Sequence, residues 1–317
     1  MLIRHPSTKL RTRAQGKQKI IPHLWFDKEA KEAAEFYTSV FPNSKVTNVT
    51  TLHGTPSGDT EIVSFEVWGY SFMAISAGPL FKFNPSISFM VNFDPSQDKD
   101  AKMRIDAVWD KLAKGGEVLM PLDKYPFSER YGWVQDKYGL SWQLILTNPE
   151  GEERPIVIPS LMFVGEVCGK AEEATDFYLS IFKRSKRGAI ARYGADQAPD
   201  KAGTVTFTDF KLEGQWFAAI DSARMHDFSF NEAVSLIVSC DTQEEIDFFW
   251  EKLSAVPEAE QCGWLKDEYG VSWQIVPSDM EKVMGSGDKE KMARVTEAFL
   301  KMKKFDIAKL KQAYEEG

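Results

Sequence analysis

The chain has 317 residues, 43% hydrophobic and 27% charged, with a net charge of −8. That length suits two domains better than one, and no apolar run approaches the ~20 residues a membrane-spanning helix needs. The acidic balance repels phosphate backbones, so general nucleic-acid binding is excluded, as are collagen, wholesale disorder and a small disulfide-stapled scaffold.

Residues 1–19 hold Arg4, Lys9, Arg11, Arg13, Lys17 and Lys19 and no acid. They read as a basic extension. A mitochondrial transit peptide is the alternative, because the stretch is Arg-rich and carries Ser7, Thr8 and Thr12. The cytoplasm is the expected location otherwise.

A short apolar strand is predicted over 20–26 and a helix over 27–41, where Ala30, Ala33, Ala34, Tyr37 and Val40 recur at helical spacing. Strands follow at 46–52, 62–68 and 71–76, separated by turns with Gly54, Gly58 and Gly69. The cycle restarts with a strand at 86–93 and a helix at 101–114. Strands around 117–122, 132–136 and 140–146 complete it. The stretch 120–128, rich in Pro and aromatics, reads as a stiff loop that covers a cavity mouth or caps an edge.

From residue 157 the same text begins again. Gly132-Trp133-Val134-Gln135-Asp136-Lys137-Tyr138-Gly139-Leu140-Ser141-Trp142-Gln143 recurs as Gly263-Trp264-Leu265-Lys266-Asp267-Glu268-Tyr269-Gly270-Val271-Ser272-Trp273-Gln274, identical at eight positions. Such self-similarity means tandem copies of one unit. The expected division is 20–147, a linker at 148–156, 157–277 and a helical tail at 278–317. Each copy holds two βαβββ modules that curl into a half-open barrel, an α+β fold whose concave face suits a ligand. The tandem copies make a pseudo-dimer, with further homodimerisation open. Cys168, Cys240 and Cys262 lack the spacing of a disulfide framework or a structural zinc site.

The segments Leu24-Trp25-Phe26-Asp27, Ala33-Ala34-Glu35-Phe36-Tyr37, Phe230-Asn231-Glu232-Ala233-Val234-Ser235 and Cys262-Gly263-Trp264-Leu265-Lys266-Asp267 carry a resemblance. So does Val271-Ser272-Trp273-Gln274-Ile275-Val276-Pro277. The chain resembles the glyoxalase/bleomycin-resistance (vicinal-oxygen-chelate) superfamily. Within it the chain is similar to the PhnB-like branch, whose domain is labelled 3-demethylubiquinone-9 3-methyltransferase. The resemblance implies tandem glyoxalase-like domains, with a divalent ion held by His and Glu in the metal-dependent members. At the positions matching those ligands this chain has Gln143 and Gln274, Ser88 and Ser235, and Ile21 or His23, matched in the second copy by Ile158 or Ser160; a fourth position falls near Ser76 and Asp221.

Hydroxyls and amides are poor substitutes for imidazole and carboxylate ligands. The expectation is therefore no metal and no cofactor, and a pocket for a small-molecule ligand. Its candidate residues are His23, Trp25, Ser88, Tyr125, Phe127, Gln143, Ser160, Met162, Ser235 and Gln274. Two alternatives remain open: a metal-dependent lyase, isomerase or dioxygenase, and a structural module whose cups are filled by side chains. Methyl transfer is not expected. No glycine-rich cradle follows the first strand, which runs into Asp27-Lys28-Glu29 instead.

Overall fold

The computed structural model describes residues 18–148, 154–280, 283 and 288–315. The extension up to residue 17 and most of the linker expectation lie outside the described residues.

The first module is β1 (Ile20–Phe26), α1 (Ala30–Val40), β2 (Lys45–Thr55), β3 (Gly58–Val67) and β4 (Tyr70–Ser76). The second is β5 (Ile87–Phe93), α2 (Ala101–Leu112), β6 (Glu117–Tyr125), β7 (Ser128–Gln135) and β8 (Ser141–Leu146). The third is β9 (Val157–Phe163), α3 (Ala171–Ile181), β10 (Lys186–Arg192), β11 (Val205–Leu212) and β12 (Gln215–Asp221). The fourth is β13 (Val234–Cys240), α4 (Gln243–Leu253), β14 (Trp264–Lys266) and β15 (Ser272–Pro277), and α5 (Lys289–Leu300) and α6 (Ile307–Glu315) form the tail.

Local chemistry sets several boundaries. The β3–β4 turn is Trp68-Gly69, both at positive φ (50° and 77°), as a tight two-residue hairpin requires. Thr242 caps α4 by accepting from the backbone N–H of Glu245 at 3.2 Å. The 120–128 stretch is corrected: β6 and β7 run through it as a hairpin with Tyr125 paired to Ser128. Pro121 is tolerated because β6 is an edge strand, where a missing N–H leaves no ladder bond unmade, and Pro126 lies in the turn.

Strand order settles how the modules pair. One sheet runs β14-β15-β13-β1-β4-β3-β2, and the other β10-β11-β12-β9-β5-β8-β7-β6. The first sheet joins modules one and four, and the second joins modules two and three. Each half-barrel therefore takes one module from each copy. The seams are the antiparallel pairs β1–β13 and β5–β9. Within each copy the two modules lie in different sheets and pack back to back through their apolar faces. Phe72 of the first sheet meets Phe89 of the second at 4.9 Å, Tyr37 of α1 packs on Trp142 at 5.3 Å, and Tyr178 of α3 packs on Trp273 at 5.4 Å.

The fourth module departs from the expected repeat. Among the described residues it has no counterpart of β6, and the tail fills that edge. The backbone N–H groups of Cys262 and Gly263 donate to the carbonyls of Met302 (2.9 Å) and Lys303 (2.7 Å). At the opposite edge of the same sheet, α5 packs on β2. Seven flat strands would span roughly 29 Å at ~4.8 Å each, whereas the twelve residues of α5 reach roughly 18 Å. A tail this short meets both edges because the sheet is curled.

Candidate functional site

Alternation along the strands puts two sets of side chains on the faces turned away from α1–α4. In the first sheet, His23 stands opposite Ser235 and beside Met73, and Trp25 stands beside Ile75. Gln274 Nε2 donates to Ser235 Oγ at 2.9 Å, and Trp264 is the cross-strand partner of Gln274. Hence His23, Trp25, Ser235 and Gln274 come together in one cup, named cup A.

His23 is 3% exposed, and its Nδ1 has no hydrogen-bond partner. Burial pulls its pKa down to about 3, so the imidazole is neutral at physiological pH. Its ring meets Trp264 edge-on at 5.4 Å. Trp25 contacts Trp264 at 6.1 Å and Phe81 at 5.1 Å, and its indole N–H donates to the Gly78 carbonyl at 2.8 Å. Ile21, Ile62, Met73 and Ile75 are half-buried on the same face. Cup A thus has apolar walls over a polar, uncharged floor.

The second sheet gathers Ser88, Gln143, Ser160 and Met162 in cup B. Ser88 lies opposite Ser160, and Met90 lies beside Gln143. Gln143 Nε2 donates to Ser88 Oγ at 2.7 Å while its Oε1 accepts from Tyr131 OH at 2.7 Å. Met90, Ile158, Trp216 and Ala218 form a small apolar cluster around this relay. Tyr125 and Phe127 stack on each other at 5.7 Å and meet Tyr131 edge-on at 5.5 and 5.0 Å, with Phe127 61% exposed. They sit at the cup B rim as part of a strand hairpin.

The ten candidate residues therefore fall into two separate cups. Tyr131 was missed by sequence reasoning. Its signal is position: it is two residues before Trp133, the strand partner of Gln143, and so faces the same way. Cys262 occupies the matching place in the second copy and offers no such phenol. Trp133 and Trp264 lie on the cup side, whereas Trp142 and Trp273 are fully buried on the helix side. The indoles of those two donate to Asp136 Oδ2 (2.9 Å) and Asp267 Oδ2 (2.8 Å).

The other described histidines lie elsewhere: His53 pairs with exposed Asp59 at 3.0 Å, and His226 shares a hydrogen bond with Ser222 at 2.9 Å. A cavity of about 310 Å³ lies between β2 and α5, and one of about 360 Å³ lies in a charged seam near Lys19 and Glu245. Neither is lined by the cup floors.

The family model described as 3-demethylubiquinone-9 3-methyltransferase matches residues 18–145 and again 155–276. The chain belongs to that family. The match covers both copies, so the chain is a tandem member. The PhnB protein from Bacillus cereus is 38% identical over 41% of this chain and 100% of its own, with a TM-score of 0.37. Glyoxalase I from Zea mays is 10% identical over 85% of this chain and 97% of its own, with a TM-score of 0.48. The fosfomycin resistance protein FosX from Listeria monocytogenes is 13% identical over 40% of this chain and 91% of its own, with a TM-score of 0.29. No curated protein matches the chain.

The resemblance to the metal-dependent glyoxalase-like proteins would place a divalent ion on the cup floor. Cup A offers one imidazole, one hydroxyl and one amide, and cup B offers hydroxyls, an amide and a phenol. Among the described residues no three His, Cys, Asp or Glu side chains converge. Those donors do not fit a transition-metal ion, which takes three or four imidazole, thiolate or carboxylate ligands. No step of chemistry is derived through one.

Proposed function

We propose that this PhnB-like chain binds a small molecule in cup A without a metal. The observation that carries this reading is His23 Nδ1, a buried polar atom without a partner on the floor of an apolar-walled cup. A buried polar group left unpaired costs about 1–3 kcal/mol, which a ligand's hydrogen bond would recover. The cup floor carries no ionised side chain, so the fitting ligand is uncharged at the end that reaches His23. A histidine whose pKa is about 3 is a weak proton acceptor near neutrality. That favours binding over general-base catalysis. Methyl transfer, the activity in the family's description, finds no support in the turn after β1.

The reading is tested by thermal-shift screening of a metabolite library in the presence of a chelator, because a native-state binder raises the melting temperature. Compounds that raise it are expected to lose affinity by about tenfold or more in His23→Phe, from one lost hydrogen bond and the filled floor. They are expected to bind Gln143→Leu normally, since that residue belongs to cup B. Equal losses in both variants would contradict the assignment to cup A.

A further inference from the structure

The two cups place one tryptophan differently. Trp133 and Trp264 are equivalent, each being the cross-strand partner of a floor glutamine, Gln143 or Gln274. In cup B the Trp133 indole N–H donates at 2.7 Å to Ser141 Oγ on the adjacent strand. It therefore lies along its own side of the cup. In cup A the residue matching Ser141 is Ser272, again on the adjacent strand and 1% exposed. Among the described residues Ser272 Oγ has no hydrogen-bond partner, so the Trp264 indole points elsewhere.

Strand order shows where it points. β1 lies three steps from β14, with β15 and β13 between them. At ~4.8 Å a step, that is roughly 14 Å along the sheet. Yet the Trp264 ring meets His23 of β1 at 5.4 Å and Trp25 at 6.1 Å, both edge to face. The indole thus reaches across the concave side of the curled sheet, over the strands that carry Gln274 and Ser235. The rings that draw it there are absent from cup B, where Ser160 matches His23 and Met162 matches Trp25. Edge-to-face ring contacts and a hydrogen bond to a buried hydroxyl are of similar worth. Trp264 therefore has two positions close in free energy: across the floor, as here, or on Ser272, as Trp133 sits on Ser141.

We propose that Trp264 is the built-in occupant of cup A, and that a flat aromatic ligand with a hydrogen-bonding group on its edge takes its place against His23 and Trp25 while the indole turns onto Ser272. The ligand class follows from the occupant. A place that holds an indole edge-on to an imidazole and to a second indole holds another flat ring of that size. The unpaired His23 Nδ1 calls for the hydrogen-bonding edge, and the displaced indole supplies the partner that Ser272 lacks. The exchange changes the population of two positions that both exist without ligand. The inference rests on cup A being the ligand site, but the movement of Trp264 is tested with no ligand present, so the two can fail separately.

The indole N–H signals of the nitrogen-15-labelled full chain report both positions, with Trp133→Phe and Trp264→Phe assigning the two signals. The Trp264 N–H is expected to exchange with solvent about tenfold faster than the Trp133 N–H, which is held by Ser141. His23→Ser removes one ring that holds Trp264 across the floor and is expected to slow its exchange by about tenfold. Adding Ser272→Ala to His23→Ser is expected to restore fast exchange. Unlabelled indole at millimolar concentration is the ligand probe. It is expected to slow the Trp264 exchange in the parent chain and to bind Ser272→Ala about fivefold more weakly, because the displaced ring has no partner there. A Trp264 exchange rate that His23→Ser leaves unchanged would overturn the movement. Indole that leaves the signal unchanged in the parent, or that binds Ser272→Ala equally well, would overturn the displacement.

Discussion

Replacing Asp267 by alanine is expected to destabilise the protein by about 3–5 kcal/mol, measured by urea unfolding at neutral pH. The carboxylate is 1% exposed and accepts four hydrogen bonds. Two come from the backbone N–H groups of Tyr269 and Val271 (both 2.9 Å), one from the Trp273 indole (2.8 Å) and one from the Tyr178 hydroxyl (2.7 Å). Alanine leaves every one of those donors buried and unpaired. Asp136 holds the matching place in the first copy and accepts from Tyr138 N–H, Leu140 N–H and the Trp142 indole. The Tyr37 hydroxyl, equivalent to that of Tyr178, faces Asp136 without the close hydrogen bond that Tyr178 makes to Asp267. Asp136→Ala is therefore expected to lose about 1 kcal/mol less than Asp267→Ala, the worth of one hydrogen bond. Equal losses would mean that the phenol adds nothing.

The second large effect is on acid stability. His23 has its pKa lowered from 6.5 to about 3 by burial. The unfolded chain takes up a proton near pH 6.5 while the folded chain refuses it. The stability linked to His23 is thus intact above about pH 6.5 and is lost as pH falls toward 3. From about pH 6.5 to about pH 4.5 the loss is roughly 2.5 kcal/mol. His23→Ser, which copies Ser160 of cup B, removes that dependence. Its unfolding free energy at neutral pH is expected to be lower by about 2 kcal/mol from lost packing. The gap between variant and parent should then close on acidification. Asp136 and Asp267, pushed up to about 6 chiefly by burial, titrate in the same window with the opposite sign. They are present in both proteins and cancel in the difference. A gap that stays constant with pH would mean that His23 is protonated in the folded state.

The repeat made much of this fold legible. Eight identities in twelve positions fixed the register of the two copies, and period-two alternation then placed Gln143, Gln274, Ser88 and Ser235 on one kind of face. Pairing between modules was not legible. β1 has the same alternation whether it joins β13 or β5, and only packing between the two modules of one copy across the sheets, such as Phe72 on Phe89, selects the exchange. The hairpin at 117–135 was misread because Pro121 and Pro126 argue against a strand, whereas Pro121 sits in an edge strand that tolerates it and Pro126 in the turn between the strands. The tail's role was hidden for a related reason. Its apolar stripe announces a helix, whereas the edge it completes is visible only as an absence in the fourth module. Asp136 and Asp267 stood inside the repeated motif, yet an acid in a turn says nothing of the indole that folds back onto it.

The central claim is that the floor of cup A, His23 with Ser235 and Gln274, binds small molecules by hydrogen bonding and does not chelate. Elemental analysis of the full chain, purified without a metal-binding tag and dialysed against zinc, nickel, manganese or iron(II), tests it most directly. The account predicts well under one equivalent of any of these ions per chain, with no change in melting temperature on adding chelator. One tightly held equivalent that disappears in His23→Ser or Gln274→Leu would contradict it.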